Sequence, residues 1–248
     1  MIKKELDSKK IFVIVDLGGT IVDESNPEMG AVAEEITMRY GLSAQQAAGL
    51  ISGIVMELMQ ENFKITEEQK CTTTIIEETL NKANSSLSVE QVEELAFHML
   101  GGENCTYLRP LEGASILLEQ LQEAGANIIA LSNTALTLNI LNRIFEVHKI
   151  KDYFDDIILS SECGFRKPYA SIFDFLESKE DIKKEDFTIL LGNDLNADIV
   201  PAKQRGYKTV FLTEDISITE NESMLIGDDL ETCKNMILEE ISKWRDNR

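Results

Sequence analysis

The run Ile11, Phe12, Val13, Ile14, Val15 breaks off abruptly into Asp16, Leu17, Gly18, Gly19 and Thr20. A short, β-branched and aromatic run met at once by turn residues predicts a strand buried on both faces, as at the centre of a parallel sheet. In open sheets of that kind ligands sit beyond the carboxyl ends of the strands, which puts Asp16 where chemistry would occur. Gly18 and Gly19 let the backbone turn sharply and bring N–H groups to a bound anion, and Thr20 offers it a hydroxyl. The structural alternative is a strand-ending Asp that caps the next segment.

From Leu108 onward strand-like runs alternate with amphipathic stretches, which predicts parallel βαβ units with helices on both faces. The strands are read at 11–16, 126–132, 156–161, 187–192 and 208–212, with helices between them such as 113–124. Between 27 and 102 the pattern is helical instead. Ser43 with Gln46, Thr66 with Gln69 and Ser88 with Gln91 are spaced as capping boxes, and Gly41 and Gly101 suit helix ends. Ile51, Val55, Leu58 and Met59 share one helical face, as do Val92, Leu95, Ala96 and Met99, so a module of four mutually packed helices is expected with these side chains as its core. The acidic stretch 213–229 reads as a surface loop, and 230–244 as a terminal helix that docks Ile237, Ile241 and Trp244 on the core. The fold class is therefore α/β: a Rossmann-like parallel sheet from residues 1–25 and 104–248, interrupted by an α-helical cap at 26–103.

A formal charge of −20 argues against nucleic acid and anionic membrane as partners, because both need a basic surface. The first residues lack the apolar core of a secretory signal, and no apolar run approaches the ~18 residues of a membrane span, so a cytoplasmic location is expected. Cys71, Cys105, Cys163 and Cys233 form no Cys-x-x-Cys pair and are expected to be reduced, buried thiols. His98 and His148 join no metal spacing and are expected to be structural.

Polar residues close the other strands as well. Ser132 and Asn133 end the second strand, supplying a hydroxyl and a backbone N–H at a helix start, where an anion is well placed. Lys167 follows the third strand within Gly164, Phe165, Arg166, Lys167 and Pro168, and can neutralise a charged substrate. The fourth ends in Asn193, Asp194, Asn196 and Asp198, whose clustered oxygens suit a hard cation such as Mg²⁺. Nucleophile, hydroxyl, lysine and acids in that order make a phosphoryl-transfer site.

With these four motifs in order and a helical insertion between the first two, the chain resembles the haloacid dehalogenase superfamily with a C1-type cap. Leu108 to Gly113, Asp152 to Asp155 and Ile199 to Gly206 are similar to the family outside its motifs. The resemblance implies that Asp16 is a nucleophile forming an aspartyl-phosphate and that Lys167 balances its charge. It also implies that Ser132 binds the phosphoryl group together with Gly19, Thr20 and Asn133. Mg²⁺ would be held by Asp16, the Gly18 carbonyl, and Asn193, Asp194 or Asp198 of the fourth motif. Two positions depart from the family pattern. Gly18 stands where a general acid is usual, and Asn193 stands where the fourth motif usually begins with an acid. Other branches of the superfamily use a cap lysine instead, but Lys64 and Lys70 read as solvated. The function implied is a Mg²⁺-dependent phosphatase of a small phosphorylated metabolite, the cap closing over the site as a lid. The alternative is a catalytically silent relative that binds a phosphorylated ligand or a protein partner.

Overall fold

Within the first strand Phe12 and Ile14 face one side of the sheet and Ile11, Val13 and Val15 the other, the two-residue period of a strand buried on both faces. In the computed structural model, which describes residues 9–25, 38–62, 64–215 and 224–247, this strand is β1 (Ile11–Val15). It pairs in parallel with β2 (Asn127–Ser132) on one side and β4 (Phe187–Gly192) on the other. With β3 (Asp156–Leu159), β5 (Lys208–Leu212) and β6 (Met224–Gly227) the sheet order is β3-β2-β1-β4-β5-β6. All neighbouring strands of this sheet run parallel, so their carboxyl ends lie along one edge.

One face packs Val13, Ile128 and Ile189 against helices α4 (Ala114–Glu123), α5 (Leu138–Val147) and α9 (Leu230–Asp246), through Leu117, Phe145 and Ile237. The other packs Ile14, Ile129 and Leu190 against α7 (Ala170–Glu180) and α8 (Val200–Gln204), through Phe173 and Ala202. Among the described residues no helix is long and apolar enough to cross a membrane.

The insertion contributes α1 (Ala44–Asn62), α2 (Thr72–Lys82) and α3 (Val89–Met99), which enclose Ile51, Ile54, Ile76, Leu80, Val92 and Leu95. Four helices were expected between 27 and 102, and residues 26–37 of that stretch lie outside the described residues. Phe97 turns away from this small core into the main one, under the guanidinium of Arg143 at 3.8 Å.

Several expectations are corrected. The third strand ends at Leu159, not Ser161, because the Ser160 and Ser161 hydroxyls bond the Thr134 and Leu136 backbone and the chain turns into the short helix α6 (Ser160–Cys163). The stretch read as an acidic loop contains β6, whose Thr209–Met224 register and buried Met224 place it at the sheet edge. Ser43 and Ser88 form capping boxes, but Thr66 does not. Its hydroxyl donates to the Glu68 carbonyl, and α2 begins only after Cys71. Val55 and Met59 are exposed and line an apolar cavity instead of the cap core. Cys105 and Cys233 are buried as expected, while Cys71 and Cys163 are half-buried; all four are free thiols.

Candidate active site at the carboxyl ends of the strands

Asp16 leaves the end of β1 beside the switch between β2 and β4, and its N–H donates to the Leu191 carbonyl. The chain then folds on itself. The Leu17 carbonyl accepts from the N–H groups of Thr20, Ile21 and Val22, and Gly18 bridges to Val22. Inside this turn Thr20 is fully buried and its hydroxyl donates to Asp16 Oδ2 at 3.0 Å. Thr20 therefore orients the Asp16 carboxylate through its hydroxyl. Gly19 has a φ of +70°, and a Cβ there would stand 2.3 Å from the Asn193 amide nitrogen, so both conformation and space call for glycine.

Lys167 Nζ donates to Asp16 Oδ1 and to Asp198 Oδ1, both at 2.6 Å, with the ammonium nearly sealed from solvent. Burial alone would push this lysine down, but the two carboxylates outweigh it and hold its pKa above the ordinary value. Asp198 gives its other oxygen to the Asp194 N–H, so its carboxylate ties Lys167 to the turn after β4. Gly192 is the condition for this, since a Cβ there would lie 2.5 Å from Asp198 Oδ2. The sequence reading passed over that glycine; its only signal was the interruption of an apolar strand.

Asn133, expected to offer its backbone N–H, spends its side chain on the lysine loop. Its carboxamide accepts from the Lys167 N–H and donates to the Lys167 carbonyl, each at 2.9 Å, and so clamps the lysine's backbone. Ser132, by contrast, is nearly buried, lines the cleft, and among the described residues has no side-chain hydrogen bond. Its hydroxyl is open to a ligand.

A cleft of about 260 Å³ collects these groups: Asp16, Gly18, Glu24, Ser132, Asn133, Lys167, Asn193, Asp194 and Asp198 line it. Glu24 enters from beyond the turn, and a Cβ at Gly18 would lie 2.0 Å from its carboxyl carbon. Burial in the cleft and the neighbouring Asp16 charge push the Glu24 carboxyl above the usual range, with Lys167 opposing in part. His98 and His148 stay outside, the first against Phe97 and the second on the Tyr107 carbonyl at 2.9 Å. Lys64 and Lys70 pair with Glu61 and Glu78 on the cap.

Among the described residues no three acidic, histidine or cysteine side chains converge as a ready-made metal cage. The donors at hand are nevertheless all hard oxygens. Asp194 keeps Oδ2 free while Oδ1 accepts from the Asn196 and Ala197 N–H groups, and Asp16 lines the same cleft. One or two carboxylates, with water and substrate oxygens completing the shell, is how Mg²⁺ is commonly held, so the residues fit it. Four carboxyl groups against one ammonium give the cleft an acidic surplus, which a divalent cation would offset.

The cap is tied to the same loops. Arg166, beside Lys167, donates to the backbone carbonyls of Glu61, Asn62 and Lys64 at the end of α1. The Gln69 N–H donates to the Gly164 carbonyl, and Thr72 to that of Ala135. Sequence reasoning missed this role of Arg166, whose only trace was a cation next to the lysine.

Comparison with known proteins agrees with this geometry. A family model for haloacid dehalogenase-like hydrolases matches residues 12–216. A glyceraldehyde 3-phosphate phosphatase of Methanothermobacter thermautotrophicus is 26% identical over 46% of this chain and 50% of its own length. A ribulose-1,5-bisphosphate 5-phosphatase of Halopiger xanaduensis is 31% identical over 42% and 43%. The chain thus spans half or less of the curated relatives it matches. Among solved structures, a HAD phosphatase from Thermococcus onnurineus superposes with a TM-score of 0.55 at 17% identity, covering 92% of this chain and 97% of that one. The putative HAD-hydrolase YfnB from Bacillus subtilis does so with 0.54 at 18%, covering 93% and 100%. At such identities the likeness concerns the fold.

Proposed function

Because this chain belongs to the haloacid dehalogenase-like hydrolases, we propose that it hydrolyses the phosphate monoester of a small metabolite through a phosphorylated Asp16. The observation that carries this reading is the buried Asp16–Lys167–Asp198 array, with the open Ser132 hydroxyl beside it. A carboxylate held by Thr20 and Lys167 is fixed in direction, which converts attack on phosphorus into a positioned, unimolecular step. The Lys167 ammonium, itself anchored by Asp198 and by Asn133, faces the charge that builds on the transferring group. Ser132 supplies a hydroxyl to a phosphoryl oxygen.

Asp16 and Asp194 would hold Mg²⁺, which when bound would offset phosphate charge and orient its oxygens. Asp16 then serves two partners, and Lys167 keeps its carboxylate from being pulled out of line. Small phosphorylated sugars are the substrate class favoured by the names of the relatives, and a cleft of about 260 Å³ is in keeping with that size.

Release of phosphate from an aryl phosphate in the presence of Mg²⁺ tests the reading. Asp16→Asn removes the nucleophilic charge with little change in volume and is expected to lose turnover while its unfolding transition stays in place. Retention of more than about a tenth of the rate, a barrier change under ~1.4 kcal/mol, rules out Asp16 as nucleophile. No turnover above that variant in the unmodified protein leaves only the binding reading. A panel of phosphorylated metabolites then sorts the substrate.

A further inference from the structure

An alkoxide leaving a metabolite phosphate is strongly basic, and its departure calls for a proton as the bond to phosphorus breaks. Gly18, two residues past Asp16, has no side chain to deliver one. The other acids of the cleft have partners: Asp198 is paired with Lys167, and Asp194 accepts two backbone N–H groups on one oxygen. Glu24 differs from both. Among the described residues its carboxyl group makes no hydrogen bond or ion pair, yet it lines the same cleft as Asp16 and Ser132.

The turn after β1 explains how it gets there. The bridge between Gly18 and Val22 doubles the chain back, so that Glu24 arrives over Gly18. Its Cδ and Oε1 each lie 2.0 Å, and its Oε2 2.6 Å, from the point where a Cβ of residue 18 would stand. Any side chain at residue 18 would displace this carboxyl group. Glycine at 18 and glutamate at 24 are one arrangement.

Resting on the hydrolase reading above, we propose that Glu24 is the proton carrier of the reaction, its carboxyl group reaching from the turn into the space that Gly18 leaves open. As an oxygen of Asp16 bonds to phosphorus, the bond from phosphorus to the alcohol oxygen breaks. That oxygen takes the Glu24 proton and departs as the alcohol, leaving Glu24 a carboxylate. Glu24 next takes a proton from a water molecule whose oxygen bonds to phosphorus. The phosphorus–oxygen bond to Asp16 breaks, its electron pair returns to the carboxylate, and hydrogen phosphate leaves with Glu24 protonated again. The sum is monoester dianion plus water giving alcohol plus hydrogen phosphate.

The experiment compares para-nitrophenyl phosphate with glycerol phosphate on the full chain in Mg²⁺, using Glu24→Gln, which keeps the shape and loses the proton. Alkyl cleavage is expected to fall ~10²–10⁴-fold. The aryl ester, whose phenolate leaves unaided, should still give a burst of phenolate and a protein heavier by one phosphoryl group, because only the water step has lost its acceptor. Gly18→Asp alone should lose activity on both esters by meeting Glu24, whereas Gly18→Asp with Glu24→Gly should recover alkyl cleavage by about tenfold or more over Glu24→Gly, a barrier gain of ~1.4 kcal/mol. Equal loss on both esters without phosphorylated protein, or no loss on the alkyl ester, overturns the role of Glu24. An unmodified protein that turns over neither ester, or an Asp16→Asn variant as fast as it on the aryl ester, removes the hydrolase reading itself.

Discussion

At the scale of single residues, the site is built from polar groups that mostly serve one another. Thr20 and Asn133 are the types of residue that bind phosphate, yet one is spent on Asp16 and the other on the Lys167 backbone. Leaving such groups unpaired inside a protein costs on the order of 1–3 kcal/mol each, so the folded chain pairs those it buries and leaves open those at the cleft. The same distinction separates the acids of the fourth strand end: Asp198 is fully engaged, while Asp194 keeps one oxygen free and is exposed. Asp194→Asn is therefore expected to weaken Mg²⁺ activation at least tenfold more than Asn193→Ala, roughly the ~1.4 kcal/mol of one lost anionic ligand. Titrating the rate against Mg²⁺ reads this, and equal losses in the two variants would assign the ligand elsewhere.

At the scale of elements, helix ends govern two further properties. The last carbonyls of α1 have no partner within the helix, and Arg166 supplies three donor contacts from the core while its charge suits the negative end of the dipole. Arg166→Ala is expected to cost about 1.5–3 kcal/mol, the range for hydrogen bonds to a charged group, and to speed amide exchange at the end of α1. Arg166→Lys should not restore it, since one ammonium cannot span three carbonyls. Unchanged exchange in either variant would show that the cap docks without this contact. Glu180, the last residue of α7, is the second case. Burial, with Asp156 beside it, raises its pKa to about 7 from an ordinary 4.5. A carboxyl whose pKa is higher folded than unfolded stabilises the fold in its protonated form, so this contribution is complete below about pH 4.5 and is lost as pH rises through about 7. Glu180→Gln should flatten the fall in Tm between those values, and parallel pH profiles for the two proteins would refute the assignment.

At the scale of the whole molecule, a chain of net charge −20 that takes up an anion must work against its own field. Screening lengths shrink from ~30 Å to ~8 Å between 10 and 150 mM salt, so kcat/KM for a phosphomonoester should rise over that range at saturating Mg²⁺ with kcat nearly constant. A fall instead would point to local attraction by Lys167 and the cation outweighing the global charge. The sequence by itself determined the sheet and the edge on which the site forms. Strands buried on both faces, such as Ile11–Val15 and Phe187–Gly192, read as unbroken apolar runs, and alternation with helices forces parallel strands whose polar ends converge. It did not reveal β6, because four residues in an acidic stretch are too few to show a period. Only the tertiary structure decided what each polar atom faces. Lys167 meets Asp16 across 151 positions of chain and Arg166 meets Glu61 across 105, and the Gly18 turn sets Glu24 over the residue that lacks a side chain. Such partners are chosen by where whole elements pack, and side-chain patterning along one element carries no record of its neighbours.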